Sequence, residues 1–128
     1  MLNDGEVVEL KGDRRSVGAL RTKSDFAFST QRITDPSGMF VMLTDGVTDV
    51  MNREEQPIAF GRRRLVDLLK KSATSDPKHI VTRIIDTIED YRGNTPLRDD
   101  LTLLAFYIDE NFNDGLKDVA TAESIKSA

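Results

Sequence analysis

Two short acidic segments lie where apolar runs end or begin. Asp45 follows the apolar run Met39–Leu43, and Asp99 lies just before the apolar run Leu101–Ile108. If these runs are neighbouring antiparallel strands, both carboxylates lie at the same end of a sheet. Two carboxylates held close together repel unless one keeps a proton or a divalent cation lies between them. Because carboxylate oxygens favour magnesium, manganese or calcium over zinc or copper, the sequence predicts a divalent metal site with Asp45 and Asp99 as ligands.

Each segment alone also has a purely structural interpretation. An Asp-Gly pair such as Asp45-Gly46 usually forms only a turn. The pair Asp99-Asp100 before a strand is commonly part of a solvated loop. The joint appearance of the two segments at the ends of two core strands is what favours a functional site.

The strands that must position these carboxylates are short. Glu6–Leu10 is a strand candidate entered through the turn signal Asn3-Asp4-Gly5, which predicts a hairpin. The segment Phe26–Ile33 places Phe26, Phe28, Thr30 and Arg32 at alternate positions, which predicts a strand. Asp35–Gly38 then turns the chain into Met39–Leu43, which predicts a second antiparallel hairpin.

Three segments between the acidic motifs have helical character. Val47–Asn52 predicts a turn or two of helix, and Phe60–Ala73 predicts a longer helix with a leucine face. The next helix begins at Pro77, because Asp76 is a good N-cap and Gly93 lies just past its end.

These elements predict an α+β fold in which an antiparallel sheet is covered on one face by two helices. The other face of Met39–Leu43 and Leu101–Ile108 is also apolar, so its burial by self-association or strand exchange is expected. Residues 1–108 form the predicted domain. Residues 109–128 are mostly small or charged and predict a polar tail, either a frayed helix or disordered.

Composition excludes several classes of function. The chain has 128 residues, which suffice for one domain with a core. Its 18 basic and 22 acidic residues give a net charge of -4, so no general affinity for nucleic acid or anionic membranes is expected. The absence of cysteine excludes disulfides, a thiolate zinc site and a cysteine nucleophile. No apolar stretch approaches the roughly 20 residues of a membrane span, and the lack of cysteine suits a reducing cytoplasm. We therefore expect a cytoplasmic segment, whose parent can still be anchored upstream.

The order of the motifs resembles a known family. Phe40–Asp49, then Phe60-Gly61 before a leucine-bearing helix, then Asp99–Leu104 resemble the C-terminal half of the metal-dependent (PPM) protein phosphatases. The most similar branch is the bacterial one related to protein phosphatase 2C and typified by SpoIIE. With the upstream hairpin segment, the resemblance covers about residues 4–108.

The resemblance implies that the chain forms part of an αββα sandwich whose acidic cluster holds two Mn²⁺ or Mg²⁺ ions. It implies hydrolysis of phosphoserine or phosphothreonine by a metal-activated water. The phosphorylated protein substrate is expected to be a bacterial regulatory protein such as an anti-sigma-factor antagonist. Asp45 and Asp99 match metal ligands of the family. Four further residues match supporting positions: Gly46, Asp49, Asp100 and Thr102.

One departure from the family pattern affects the expected activity. The first acidic motif, a sequence like Asp-x-x-Gly-His-Gly, is absent together with the strand and helix around it. The chain is therefore expected to be a fragment that binds metal weakly and catalyses poorly by itself. Two alternatives stay open: a catalytically inactive interaction module of the same fold, and a structural domain stabilised by calcium or magnesium.

Two groups of basic residues are weaker candidates for a functional role. Arg14 and Arg15 are candidate contacts for the substrate phosphate, although arginines beside a hairpin are commonly just exposed. The run Arg62–Arg64 invites a nucleic-acid interpretation, but a basic helix face on an acidic protein is usually solvated surface. If that run is functional, an acidic protein substrate is the more plausible partner.

Overall fold

The computed structural model describes residues 1–3, 5–15, 17, 25–34, 36–72, 76–109 and 121–125. Five strands of this part of the chain form one antiparallel sheet in the order β2-β1-β3-β4-β5. The strands are β1 (Leu2–Asn3), β2 (Glu6–Val7), β3 (Gly38–Leu43), β4 (Leu101–Ile108) and β5 (Thr121–Ile125). The helices are α1 (Gly61–Lys70) and α2 (Pro77–Arg92). Neither described helix is long and apolar enough to cross a membrane.

The two strands beside the acidic segments are direct neighbours. β3 and β4 pair antiparallel from Gly38↔Ile108 to Leu43↔Leu103. The end of β3 therefore meets the start of β4. This pairing confirms both predicted central strands and the antiparallel arrangement on which the candidate site depends.

The core lies between the helices and one face of this sheet. From the central strands, Met39, Leu101, Leu103 and Ala105 are buried on that face. α2 contributes a buried stripe at the spacing of one helical face: Ile80, Ile84 and Ile88. α1 adds Leu65 and Leu69. The predicted α+β fold, with two helices over an antiparallel sheet, is confirmed.

The limits of α2 follow from its capping residues. The Asp76 carboxylate accepts a hydrogen bond of 3.0 Å from the backbone N–H of Lys78. Pro77 occupies the first turn, where the missing N–H costs nothing. Gly93 closes the helix at a φ of 54°, a left-handed value that favours glycine. All three predicted roles are confirmed.

The first predicted hairpin is confirmed in shortened form. β1 and β2 pair through Leu2↔Val7, on either side of the predicted turn, whose Asp4 lies outside the described residues. The strand predicted over Glu6–Leu10 is limited to Glu6–Val7, and one further bond joins Val8 N–H to the Met1 carbonyl at 2.8 Å.

The second predicted hairpin is wrong. Phe26–Ile33 forms no strand, and Leu2 of β1 takes the place beside Met39 of β3. Ser29 instead donates from its backbone N–H and its hydroxyl to the Asp13 carboxylate, at 2.7 and 2.9 Å. Because β1 occupies the edge of β3 beside Met39, the alternating pattern of Phe26–Ile33 does not lead to pairing there.

The helix predicted over Val47–Asn52 is also wrong. A short 3-10 turn over Asp45–Val47 replaces it, and Met51 then forms a β-bridge with Ala59. Bonds from Asn52 N–H to the Ile58 carbonyl, 3.1 Å, and from Phe60 N–H to the Val50 carbonyl, 2.7 Å, hold this ribbon. These tertiary bonds use the backbone groups that a local helix would need.

The helix predicted over Phe60–Ala73 is confirmed with a later start. α1 begins at Gly61, whose φ of 75° differs from the helical value, and the Phe60 and Gly61 N–H groups, which have no acceptor within the helix, donate to the Val50 and Thr48 carbonyls at 2.7 and 2.8 Å. The predicted last residue, Ala73, lies outside the described residues.

Part of the predicted tail belongs to the sheet. Thr121–Ile125 forms β5, which pairs with β4 from Leu101↔Ile125 to Ala105↔Thr121. For these five residues the prediction of a frayed helix or disorder is wrong, because β4 offers an edge whose backbone groups need partners. Residues 110–120 and 126–128 of that tail lie outside the described part of the chain.

The sheet face turned away from the helices is apolar. We call Phe40, Met42, Leu104 and Phe106 the open face; Phe40 pairs with Phe106 and Met42 with Leu104. The two phenylalanine rings stack with centroids 5.2 Å apart, and Met42 is 61 % exposed. Self-association through the open face stays a prediction.

Candidate metal centre

Four carboxylates lie around the junction of β3 and β4. We call Asp45, Asp49, Asp99 and Asp100 the acidic rim. Asp45 and Asp49 follow β3, Asp99 and Asp100 precede β4, and all four residues are exposed. The end of the sheet thus carries the residues that the sequence singled out.

Backbone and side-chain bonds join the two segments directly. The Thr44 N–H donates to the Thr102 carbonyl at 3.0 Å, which extends the β3–β4 pairing by one residue. The Thr44 hydroxyl oxygen accepts from the Thr102 N–H at 3.2 Å. The same hydroxyl lies 3.3 Å from the Asp100 carbonyl oxygen, to which it donates. One of these bonds therefore joins Thr44, the residue before Asp45, to Asp100, the residue after Asp99.

Gly46 is needed for space rather than for its backbone angles. The sequence predicts that this glycine lets the chain turn away after Asp45, yet its φ is not among the positive glycine values. Gly46 is buried, and an added Cβ atom would lie 2.3 Å from the Asp100 carbonyl oxygen. Only a residue without a side chain allows the two segments to approach this closely.

The turn after β3 is held by its own hydrogen bonds. The Asp45 carbonyl accepts from the backbone N–H groups of Thr48 and Asp49, both at 2.9 Å. It also accepts from the Thr48 hydroxyl at 3.0 Å. Val47, fully buried, anchors the turn in the core. The Asp45 side chain is thus exposed on a well-connected backbone.

The start of β4 holds the other carboxylate pair. The Asp99 carboxylate accepts a hydrogen bond from the Asp100 N–H at 2.8 Å. Leu101, next in sequence, is only 2 % exposed and fixes the chain in the core. Asp99 and Asp100 therefore lie at the boundary between a solvated loop and a buried strand.

The donor chemistry of the rim fits a hard cation only in part. Carboxylate oxygens suit Mg²⁺ or Mn²⁺, which keep several water ligands when few protein groups bind them. Within the described ranges, no group of three or more histidine, cysteine, aspartate or glutamate side chains is arranged to hold a metal ion. The assignment of Asp45 and Asp99 as ligands, with Asp49, Asp100 and Thr102 in support, stays a prediction.

The candidate phosphate contacts lie in a different loop. The guanidinium of Arg15 lies over the ring of Phe26, 5.9 Å from its centroid, and Arg14 is exposed. Among the contacts of the described residues, this one places Arg15 beside Phe26. The proposed contact of Arg14 and Arg15 with phosphate stays a prediction.

A groove of about 510 Å³ lies between the helices rather than at the rim. Its apolar floor includes Phe60, Leu68 and Tyr91, and the Tyr91 hydroxyl donates to the Ile58 carbonyl at 2.9 Å. The Arg64 guanidinium lies over the Tyr91 ring, 5.3 Å from its centroid. These contacts use Arg64 to join α1 and α2, which agrees with a structural role for part of the arginine run.

Thr44 contributes more to joining the two acidic segments than its position in the sequence suggests. A threonine before Asp-Gly indicates only that local hydrogen bonds will form. Its contacts with Asp100 and Thr102 lie more than fifty positions away along the chain and depend on the register of β3 and β4. The only signal in the sequence is the recurrence of threonine beside both acidic segments.

The comparisons with known proteins place the chain in a family. The family model described as stage II sporulation protein E (SpoIIE) matches residues 1–109, which include β1 to β4, both helices and the whole acidic rim. No curated protein and no solved structure matches the chain. The family is one of PPM-type phosphatases, so membership supports a phosphatase. From the matched span, the chain belongs to the stage II sporulation protein E (SpoIIE) family.

Proposed function

We propose that this chain is part of a metal-dependent serine/threonine protein phosphatase. The observation that supports the proposal most is the junction of β3 and β4, where the Asp45 and Asp99 segments are bonded to one another through Thr44. Family membership supports a PPM-type phosphatase domain.

Asp45 and Asp99 are the residues that would hold a Mn²⁺ or Mg²⁺ ion. When bound, such an ion supplies a nucleophilic water and offsets the charge of the phosphate. The chain itself contributes orientation, because the Asp100 N–H holds the Asp99 carboxylate at the start of β4. Gly46 allows the turn after β3 to approach the Asp100 carbonyl closely. Asp49, Asp100 and Thr102 support the two ligands.

The proposed substrate is phosphoserine or phosphothreonine on a bacterial regulatory protein, of which an anti-sigma-factor antagonist is the expected type. Arg14 and Arg15 are proposed to contact its phosphate. Because the first acidic motif of the family is absent from this sequence, we expect full activity only when the upstream half of the domain is supplied. Mn²⁺ binding by the present chain alone is expected to be weak.

Activity assays on a chain extended by the upstream half test this proposal. Phosphate release from phosphoserine and phosphothreonine substrates is measured with Mn²⁺ in the wild type, Asp45→Asn and Asp99→Asn. Loss of either ligand should lower activity by at least about tenfold, the smaller of the effects seen when outer-shell partners are removed. Asp86→Asn, which removes an exposed carboxylate from α2, is the matched control. A well-folded wild type that leaves both substrates intact would refute the proposal.

A catalytically inactive interaction module of the same fold is the second candidate. It is favoured by the finding that the described ranges hold no three-residue metal cluster. Partner binding retained in an Asp45→Asn, Asp99→Asn double variant, together with an inactive extended wild type, would favour this module. A structural calcium or magnesium domain would instead show thermal stabilisation by metal without phosphate affinity.

A further inference from the structure

The Thr44 hydroxyl lies where the two acidic segments meet. Its oxygen is 3.2 Å from the Thr102 nitrogen and 3.3 Å from the Asp100 carbonyl oxygen. Thr44 precedes Asp45, and Asp100 follows Asp99. One side chain therefore joins the residue before Asp45 to the residue after Asp99.

The bonding capacity of a hydroxyl fits this position. A threonine hydroxyl has one proton to donate and two lone pairs that accept. It accepts from the Thr102 N–H and donates to the Asp100 carbonyl. The Thr102 carbonyl lies 3.5 Å from the same hydroxyl, farther than the Asp100 carbonyl at 3.3 Å, so the Asp100 carbonyl is the better acceptor for the proton.

Gly46 also lies close to the Asp100 carbonyl. The 2.3 Å separation that a Cβ atom at Gly46 would have shows how closely this oxygen lies against the turn. The same Cβ position lies 3.6 Å from the Thr44 hydroxyl oxygen. The Asp100 carbonyl oxygen thus lies close to both the Thr44 hydroxyl and the Gly46 turn, so we expect a change at Thr44 to alter how the start of β4 meets the Asp45 turn.

We propose that Thr44 is a positioning residue whose hydroxyl sets the separation of the Asp45 and Asp99 carboxylates and thereby the affinity for a divalent cation. This inference rests on the proposed function, because it assumes that the two carboxylates share a metal ion. It assigns Thr44 no contact with metal or substrate. Removing a residue that orients a metal ligand commonly lowers the metal affinity by 10–100-fold.

Three variants of the present chain separate positioning from stability. Thr44→Val keeps the shape and removes the hydroxyl, while Thr44→Ser keeps the hydroxyl. Thr95→Val is the matched control, because the Thr95 hydroxyl donates to the Asn52 carbonyl at 3.3 Å and also joins segments distant in sequence. Thr44→Ala, a second variant without the hydroxyl, replaces Thr44→Val if valine prevents folding.

Paramagnetic broadening of amide resonances by Mn²⁺ measures weak binding without an activity assay. The Kd for Mn²⁺ should rise about tenfold in Thr44→Val, which is the lower end of the effects seen when outer-shell partners are removed. It should be in the wild-type range in Thr44→Ser and unchanged in Thr95→Val. Hydrogen exchange at the Thr102 amide supplies a metal-free readout, since that N–H loses its side-chain acceptor only in the valine and alanine variants of Thr44.

The outcomes distinguish this inference from the proposed function. Wild-type resonances that Mn²⁺ leaves unbroadened would overturn the shared metal site and the positioning role together. Broadening with equal Kd values in Thr44→Val and Thr44→Ser would overturn the positioning role alone. Equal Kd losses in Thr44→Val and Thr95→Val would also overturn it, because they would trace the effect to general destabilisation.

Discussion

A side chain in place of Gly46 would overlap the carbonyl oxygen of Asp100. The added Cβ would lie 2.3 Å from that oxygen, well inside contact distance, and the obstacle is backbone rather than a flexible side-chain end. The close approach brings the two halves of the acidic rim together.

Gly46→Ala should lower the free energy of unfolding by about 1–3 kcal/mol, the usual cost of overpacking a close contact. Urea denaturation measures the loss. Gly12→Ala is the control, because a Cβ at Gly12 meets nothing within 4 Å. Identical urea midpoints for the two variants would contradict the close approach of Gly46 and Asp100.

Unfolding should depend on divalent metal. A cation that binds only the folded chain stabilises it by about 2.7 kcal/mol at a hundredfold excess over its Kd. Thermal unfolding with Mn²⁺ or with a chelator should therefore give a higher Tm with metal in the wild type and in Asp86→Asn. Asp45→Asn and Asp99→Asn should lose the difference. An equal metal-dependent shift in all four proteins would mean that Mn²⁺ binds elsewhere.

Asp76→Ala should lower the free energy of unfolding by about 1 kcal/mol, because the Lys78 N–H loses its capping acceptor. Thermal or urea unfolding detects the change. Asp86→Ala is the control on the same helix, at an exposed position where alanine favours the helix. If Asp86→Ala is as destabilising as Asp76→Ala, the cap contributes nothing specific.

The open face should promote self-association of the isolated chain. Met42→Lys places a charge on an apolar surface and should shift sedimentation toward the monomer at high protein concentration. Gln56→Lys adds the same charge at an exposed loop position and should leave association unchanged. A wild type that sediments as a monomer at every concentration would refute self-association through this face.

The elements that could be predicted from the sequence carry their signals in their own residues. The limits of α2 could be predicted because Asp76, Pro77 and Gly93 act within one turn of the helix ends. β3 and β4 could be predicted because each is a continuous apolar run. Their antiparallel pairing placed both acidic segments at one end of the sheet.

The segments predicted wrongly depend on partners distant in sequence. Phe26–Ile33 has a strand-like alternation, but Leu2 takes the place beside Met39. Thr121–Ile125 is polar and has no strand signal, yet it pairs with the edge of β4. A local pattern cannot report which edge of a sheet is already occupied.

The sequence by itself determined the chemistry that is available: four carboxylates beside two core strands, and the motif order of a phosphatase family. Only the tertiary structure decided how those segments meet, with the Asp100 carbonyl close to both the Thr44 hydroxyl and the Gly46 turn. The physical reason is that residue type determines which bonds a group can form. Strand register determines which groups come close enough to form them.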